Sequence, residues 1–202
     1  MLAAFSLSGA YAQKNSILLF GNSNGGGGTE SSPLQETGSS GMSVNAGVGY
    51  QFSNHFTAGV LGSYSYSTRD TKQLIAPAST THNTSHVYGL GLFGRYTHYL
   101  GDRFFVYMQG DANYSKSFGR ATSSQSPNAS ESENGGPIDV NLTPAVGCFI
   151  YKGWAVNLTA GSVLYRYSDM NGTKSSSVSY TIGSYSIGFS KNFTRKVKNK
   201  VG

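Results

Sequence analysis

From Met42 to Phe193 apolar and polar side chains alternate with a period of two, the repeat of strands that show one face to an apolar medium. Helical periodicity is nearly absent. The clearest stretch is Met42 to Phe52: Met42, Val44, Ala46, Val48, Tyr50 and Phe52 share one face, and Ser43, Asn45, Gly47, Gly49 and Gln51 the other. After Ser53-Asn54-His55 the pattern resumes, with Phe56, Ala58, Val60, Gly62, Tyr64 and Tyr66 opposite Thr57, Gly59, Leu61, Ser63 and Ser65. Residues 86–98 align Tyr88, Leu90, Leu92, Gly94 and Tyr96. Residues 104–115 set Phe104, Val106, Met108 and Tyr114 against Phe105, Tyr107, Gln109 and Asp111. A further strand covers 138–151. Another opens at Trp154 and changes phase near Ser162, the mark of a bulge. The last runs from about Val178 to Phe193. With Ser16 to Gly21 as the first, the pattern predicts eight strands.

Connections alternate in length. Segments 22–40, 68–84, 119–137 and 168–177 are long and rich in Gly, Ser, Thr and Asn, whereas 53–55, 101–103 and 152–154 are short. A three-residue loop keeps the apolar face in phase across each short hairpin. Short turns at one end and long polar loops at the other are the layout of a transmembrane barrel. The expected fold is therefore all-β, a single antiparallel up-and-down barrel of about eight strands, with both termini at the short-turn end.

Depth along the apolar face sharpens this expectation. Tyr50, Phe52, Phe56, Tyr96, Phe104, Trp154 and Phe193 fall at the short-turn end, and Tyr64, Tyr66, Tyr88 and Tyr114 at the long-loop end. Between them lie Val48, Val60, Leu90, Leu92, Val106, Met108, Val146 and Leu158. Aromatic girdles flanking an aliphatic band suit a bilayer, because amphipathic rings prefer the headgroup zones. A soluble sandwich would place its largest residues mid-strand instead. On the opposite, interior face, Arg95 stands across from Gln109 and diagonal to Asp111, with Asp139 on the next strand. Arg95, Asp111 and Asp139 are the expected lumen ion cluster, with Tyr107, Asn113 and Asn141 as hydrogen-bond partners. Inward Phe93, Phe105, Tyr107, Phe149 and Tyr151 are expected to fill the bore.

Composition removes other classes. Mean hydropathy is −0.28 and only 12% of residues are charged; no run approaches the ~18 apolar residues of a membrane helix. Fourteen tyrosines and 11 phenylalanines argue against disorder. The net charge of +6 is concentrated in TRKVKNKVG at 194–202, whose four basic residues leave +2 for the rest, so no nucleic-acid surface is expected. Cys148 is the single cysteine, and no Cys/His spacing suits zinc. Residues 2–10 are apolar or small and precede Ala10-Tyr11-Ala12. This marks 1–12 as a signal peptide without a basic n-region, cleaved before Gln13. Residues 13–193 then form the barrel and 194–202 a basic tail.

The signal-like start, the alternating strands and the terminal SYSIGFSKNF resemble the small outer-membrane β-barrel proteins of the OmpA and OmpX kind. HVYGLGLFGRYTHYLGDRFFVYMQGDANYS is similar to porin-family-like barrels common in Bacteroidetes. The resemblance implies a final strand with an assembly signal, matched here by Gly188 and Phe193. Lys191 departs from it, standing where an apolar residue is usual.

Enzymatic barrels need an activated nucleophile or paired carboxylates and histidines. Every glutamate falls in a long segment, and neither His82-x-Thr84 nor His86-x-Tyr88 matches a His-x-Ser pair. Gly25 to Gly28 lacks the Lys-Ser/Thr of a phosphate loop. The expectation is a monomeric, non-enzymatic outer-membrane protein without cofactor or metal. Its partners would be outer-membrane lipids, the assembly machinery and a surface ligand reached through the long loops. A narrow pore and a lipid-modifying enzyme are the alternatives.

Overall fold

A computed structural model describes residues 14–74, 79–124, 126–170 and 173–194. The expected signal peptide, 1–12, and residues 195–202 of the basic tail lie outside the described residues. Eight strands follow in order: β1 (Ser16–Ser31), β2 (Gln35–Gln51), β3 (Phe56–Gln73), β4 (Ser79–Tyr99), β5 (Phe104–Ser123), β6 (Ser126–Tyr151), β7 (Trp154–Met170) and β8 (Thr173–Thr194). Each pairs antiparallel with its neighbours in sequence, and β8 pairs with β1 to close the barrel. Closure removes the unpaired edges that an open sheet would present.

The long segments expected as loops are strand. β1 and β2 stay in register from Ile17↔Tyr50 to Ser31↔Glu36, and β3 and β4 from Phe56↔Tyr96 to Gln73↔Ser79. The physical reason is that ladder pairing satisfies backbone groups whatever the side chains are. Where both faces are Ser, Thr, Asn and Gly there is no contrast for a period-two pattern to show.

The short turns fix the phase. At 53–55 and 101–103 the three-residue loops are present, with Phe52 N–H donating to Phe56 O and Leu100 N–H to Phe104 O. The third differs from expectation. Tyr151 pairs with Trp154 across a two-residue turn, Lys152-Gly153, whose φ values of 41° and 80° match the left-handed pair of a tight hairpin. A register shift between Phe149 and Tyr151 supplies the extra residue and keeps Trp154 facing outward. Tyr151, expected inside, is therefore 55% exposed. The phase change near Ser162 is a register shift between Ala160 and Ser162, with Gly161 at φ +74°.

The β1–β8 seam is short. It runs from Ser16↔Thr194 to Ser23↔Ile187, although both strands continue beyond it. The core fills the short-turn half of the bore: Leu18, Leu61, Phe93, Arg95, Thr97, Phe105, Tyr107, Ala145, Ala155, Asn157 and Ser190 are all buried. Among the described residues three inward glycines admit rings, Gly47 giving way to Phe20. A Cβ on Gly49 would meet Phe93 Cζ at 2.6 Å, and one on Gly147 would overlap Phe105 Cζ.

Candidate functional site: a stoppered lumen and an apolar outer belt

Inward parity on β4 delivers Arg95 into the middle of the bore, where it is 3% exposed. Its partner is not a carboxylate. Nε and Nη2 both donate to Gln109 Oε1, at 3.1 and 2.6 Å, from the directly opposed position on β5. The guanidinium also lies 4.1 Å from the Tyr107 ring centroid and 4.5 Å from that of Phe20. Ring faces attract a desolvated cation through their quadrupole.

The expected ion cluster is therefore corrected. Asp111 accepts from Asn141 Nδ2 at 3.1 Å and from the Gln109 side chain, so one amide links Arg95 to Asp111 without direct contact. Asp139 sits further toward the long hairpins and receives a two-pronged pair from Arg166, 2.8 Å at each nitrogen. Opposed positions put Arg95 against Gln109 and Asp139 against Arg166, and those pairings win over the diagonals. Of the other named partners, Asn113 donates to Ser63 Oγ at 3.2 Å. Neither Phe20 nor Arg166 was singled out from sequence. Phe20 lies on the weakest strand pattern, and Arg166 follows the bulge that shifts the phase of β7.

The plug divides the lumen. On the short-turn side lies a cavity of about 20 Å³, among Leu18, Thr57, Thr97, Tyr99, Phe105 and Phe149. On the other side a polar vestibule of about 180 Å³ is lined by Asn22, Asn45, Asp111, Asn113, Asn141 and Thr159. Asn113 Oδ1 is buried there without a partner, as is Asn157 Oδ1 nearer the plug.

The outer face is apolar. Leu90 and Leu92 at its middle are 71% and 65% exposed, and Val48, Val60, Met108, Val146 and Leu158 are exposed with them. All the short-turn aromatics stand outward: Tyr50, Phe52, Phe56, Tyr96, Phe104, Trp154 and Phe193. At the long-hairpin end Tyr88 and Tyr114 are exposed. Tyr64 and Tyr66 are half-buried because they pack on Tyr88 and His86, with ring centroids 5.1 and 5.0 Å apart. From Phe56 to Tyr66 is ten residue steps; at ~3.3 Å each and a ~40° tilt they span about 25 Å, the height of a lipid-facing band. Gly188 is buried between Asn22 and Asn157 on the neighbouring strands, and Phe193 pairs with Ile17.

Beyond the girdle, opposed outward positions bring Asp70 and His82 together. The His82 Nδ1 proton goes to the Asp70 carboxylate, and Nε2 lies 3.2 Å from Thr84 Oγ1. His82 and Asp70 side chains are half exposed. No group of three or more His, Cys, Asp or Glu able to hold a metal ion occurs among the described residues.

The fold defined by these registers is the closed eight-stranded antiparallel barrel, apolar outside and filled inside. Neisserial surface protein A is similar at a TM-score of 0.46 and 14% identity, covering 88% of this chain and 97% of that one. Ail, the attachment invasion locus protein of Yersinia pestis, is similar at 0.44 and 12%, covering 90% and 99%. The translocator domain of the autotransporter NalP from Neisseria meningitidis reaches 0.47 and 9%, covering 88% and 87%. No protein family matches the chain in sequence, and no curated protein does.

Proposed function

We propose that the chain is an integral bacterial outer-membrane protein without enzymatic activity, which adds to the envelope and presents its extended hairpins for surface binding. The observation that carries this is the outward belt of large apolar residues bounded by aromatic rings. Water-soluble monomers rarely expose contiguous apolar patches beyond a few hundred Å². Both faces of the hairpins beyond the girdle are mostly Ser, Thr, Asn and Gly, so they project into water rather than lipid. The partners are outer-membrane lipids along the belt, the assembly machinery reading Gly188 and Phe193 on β8, and a surface ligand at the hairpins. The barrel acts as a monomer.

The plug around Arg95 argues against the pore. The expected outcome in planar bilayers is no steady conductance, and a large persistent conductance would replace this reading with the pore. Fractionation of expressing cells should place the protein in the outer membrane with a mature terminus near Gln13. Recovery from the soluble fraction with Met1 retained would refute that.

One observation favours a second reading. Asp70, His82 and Thr84 form the acid–base–hydroxyl relay of a covalent hydrolase, at the outer rim where lipid headgroups lie. Against it, the groups are half exposed to water, and a developing charge there gains little from a preorganised low-dielectric site. The expected outcome is no ester hydrolysis above background. Activity lost in Thr84→Ala and His82→Ala would establish the enzyme.

A further inference from the structure

We propose that the outer surface over the β1–β8 seam binds one anionic glycerophospholipid of the periplasmic leaflet, its phosphate on Lys191 and an acyl chain in the groove over Gly21. This rests on the membrane reading above and adds a defined lipid to it.

The groove follows from side-chain size. On β1 the outward positions after Leu19 are Gly21 and Ser23, which leave the backbone nearly bare. On one side β2 raises Val44 and Ala46, and on the other β8 raises Ile187 and Phe189. The resulting trough has a volume of about 440 Å³ and ends at Trp154, Lys191 and Phe193. A Cβ on Gly21 would meet only the Asn45 carbonyl oxygen, at 3.4 Å, so the space over it is open. In a bilayer an apolar trough open along its length fills with a lipid chain, since nothing else there is apolar and flexible.

The charge follows from Lys191. It pairs directly with Trp154 in the ladder and so lies at the level of the short-turn girdle, where phosphates of that leaflet sit. Its ammonium is 5.2 Å from the Trp154 ring centroid and 5.7 Å from that of Phe193. Among the described residues it donates to one acceptor, the Lys152 carbonyl oxygen. An ammonium has three donors, so two remain for a phosphate. Among the described residues no carboxylate forms an ion pair with Lys191. A cation replacing an apolar residue of the terminal strand, at the mouth of an acyl-sized trough, is the arrangement that selects an anionic headgroup over a zwitterionic one.

Trp154 is the single tryptophan and borders the site, so it reports on what lies there. The full mature chain would be reconstituted in phosphatidylcholine vesicles doped with either brominated phosphatidylglycerol or brominated phosphatidylcholine, and quenching of Trp154 fluorescence followed. The expected preference for the anionic lipid is about fivefold, one near-surface lysine's attraction. Lys191→Gln should bring it to about one. Gly21→Leu should reduce quenching by both lipids, and Ser23→Leu serves if Gly21→Leu does not fold. Equal quenching in the wild type, or a preference that survives Lys191→Gln, would overturn the assignment to an anionic lipid while leaving the barrel in the membrane. Undiminished quenching in a folded groove-filling variant would overturn the acyl site. Failure of the chain to insert would overturn the membrane reading and this inference with it.

Discussion

A guanidinium in the centre of the bore, with no carboxylate in contact among the described residues, makes Gln109 the residue on which the plug depends. A hydrogen bond to a charged group contributes about 1.5–3 kcal/mol, and leaving such a group unsatisfied costs more than removing both partners. Gln109→Leu should therefore destabilise the folded barrel by roughly 2–3 kcal/mol, and Arg95→Met/Gln109→Leu by less than Gln109→Leu alone. Unfolding of Arg95→Met, Gln109→Leu and the double variant in detergent checks this; additive losses would show that the pair is not coupled. Asp111→Asn should cost less than Gln109→Leu, because Asp111 touches Arg95 only through that amide. Parity along residues 86–98 and 104–115 was enough to place Arg95, Gln109 and Asp111 in the interior. It was not enough to choose the partner, because an amide at the opposed position outcompetes a carboxylate two residues along. The outward exposure of the rings was legible because ring and aliphatic residues alternate with polar and small ones along each strand.

At the scale of the strand, packing inside so narrow a bore depends on bare backbone where a neighbouring ring lies flat. Gly147 faces Phe105 in this way, and the ring has little room to withdraw among Tyr99, Tyr107 and Phe149. Gly147→Ala should cost roughly 1–3 kcal/mol by overpacking. Gly62→Ala, with nothing closer than 3.9 Å, should cost little. Thermal unfolding of the two variants separates them, and equal effects would contradict the ring-on-backbone account. The outer halves of the strands were hidden from the sequence for a definite reason. In Gly26 to Ser31 and Thr80 to Ser85 both faces are polar or small, so two-residue periodicity has nothing to alternate. The turn at Lys152-Gly153 was misjudged by one residue because a bulge beside it repairs the phase. Parity arguments count only the total.

For the molecule as a whole, the consequence of an apolar exterior is a depth-dependent cost of charge. Leu92→Arg and Val106→Arg, near the middle of the belt, should each cost roughly 2–4 kcal/mol of folding stability in lipid, and Phe118→Arg, near its edge, roughly 0–1. A chain folded in water with this face buried against a partner would show no such gradient with depth. The measurement that bears most directly on the central claim is fractionation of a Gram-negative cell expressing the full chain, with protein tracked by gel mobility before and after boiling. The expected result is a protein that resists carbonate extraction, sediments with the outer membrane and migrates as a compact barrel until heated. A carbonate-soluble protein with the same mobility in both samples would contradict it.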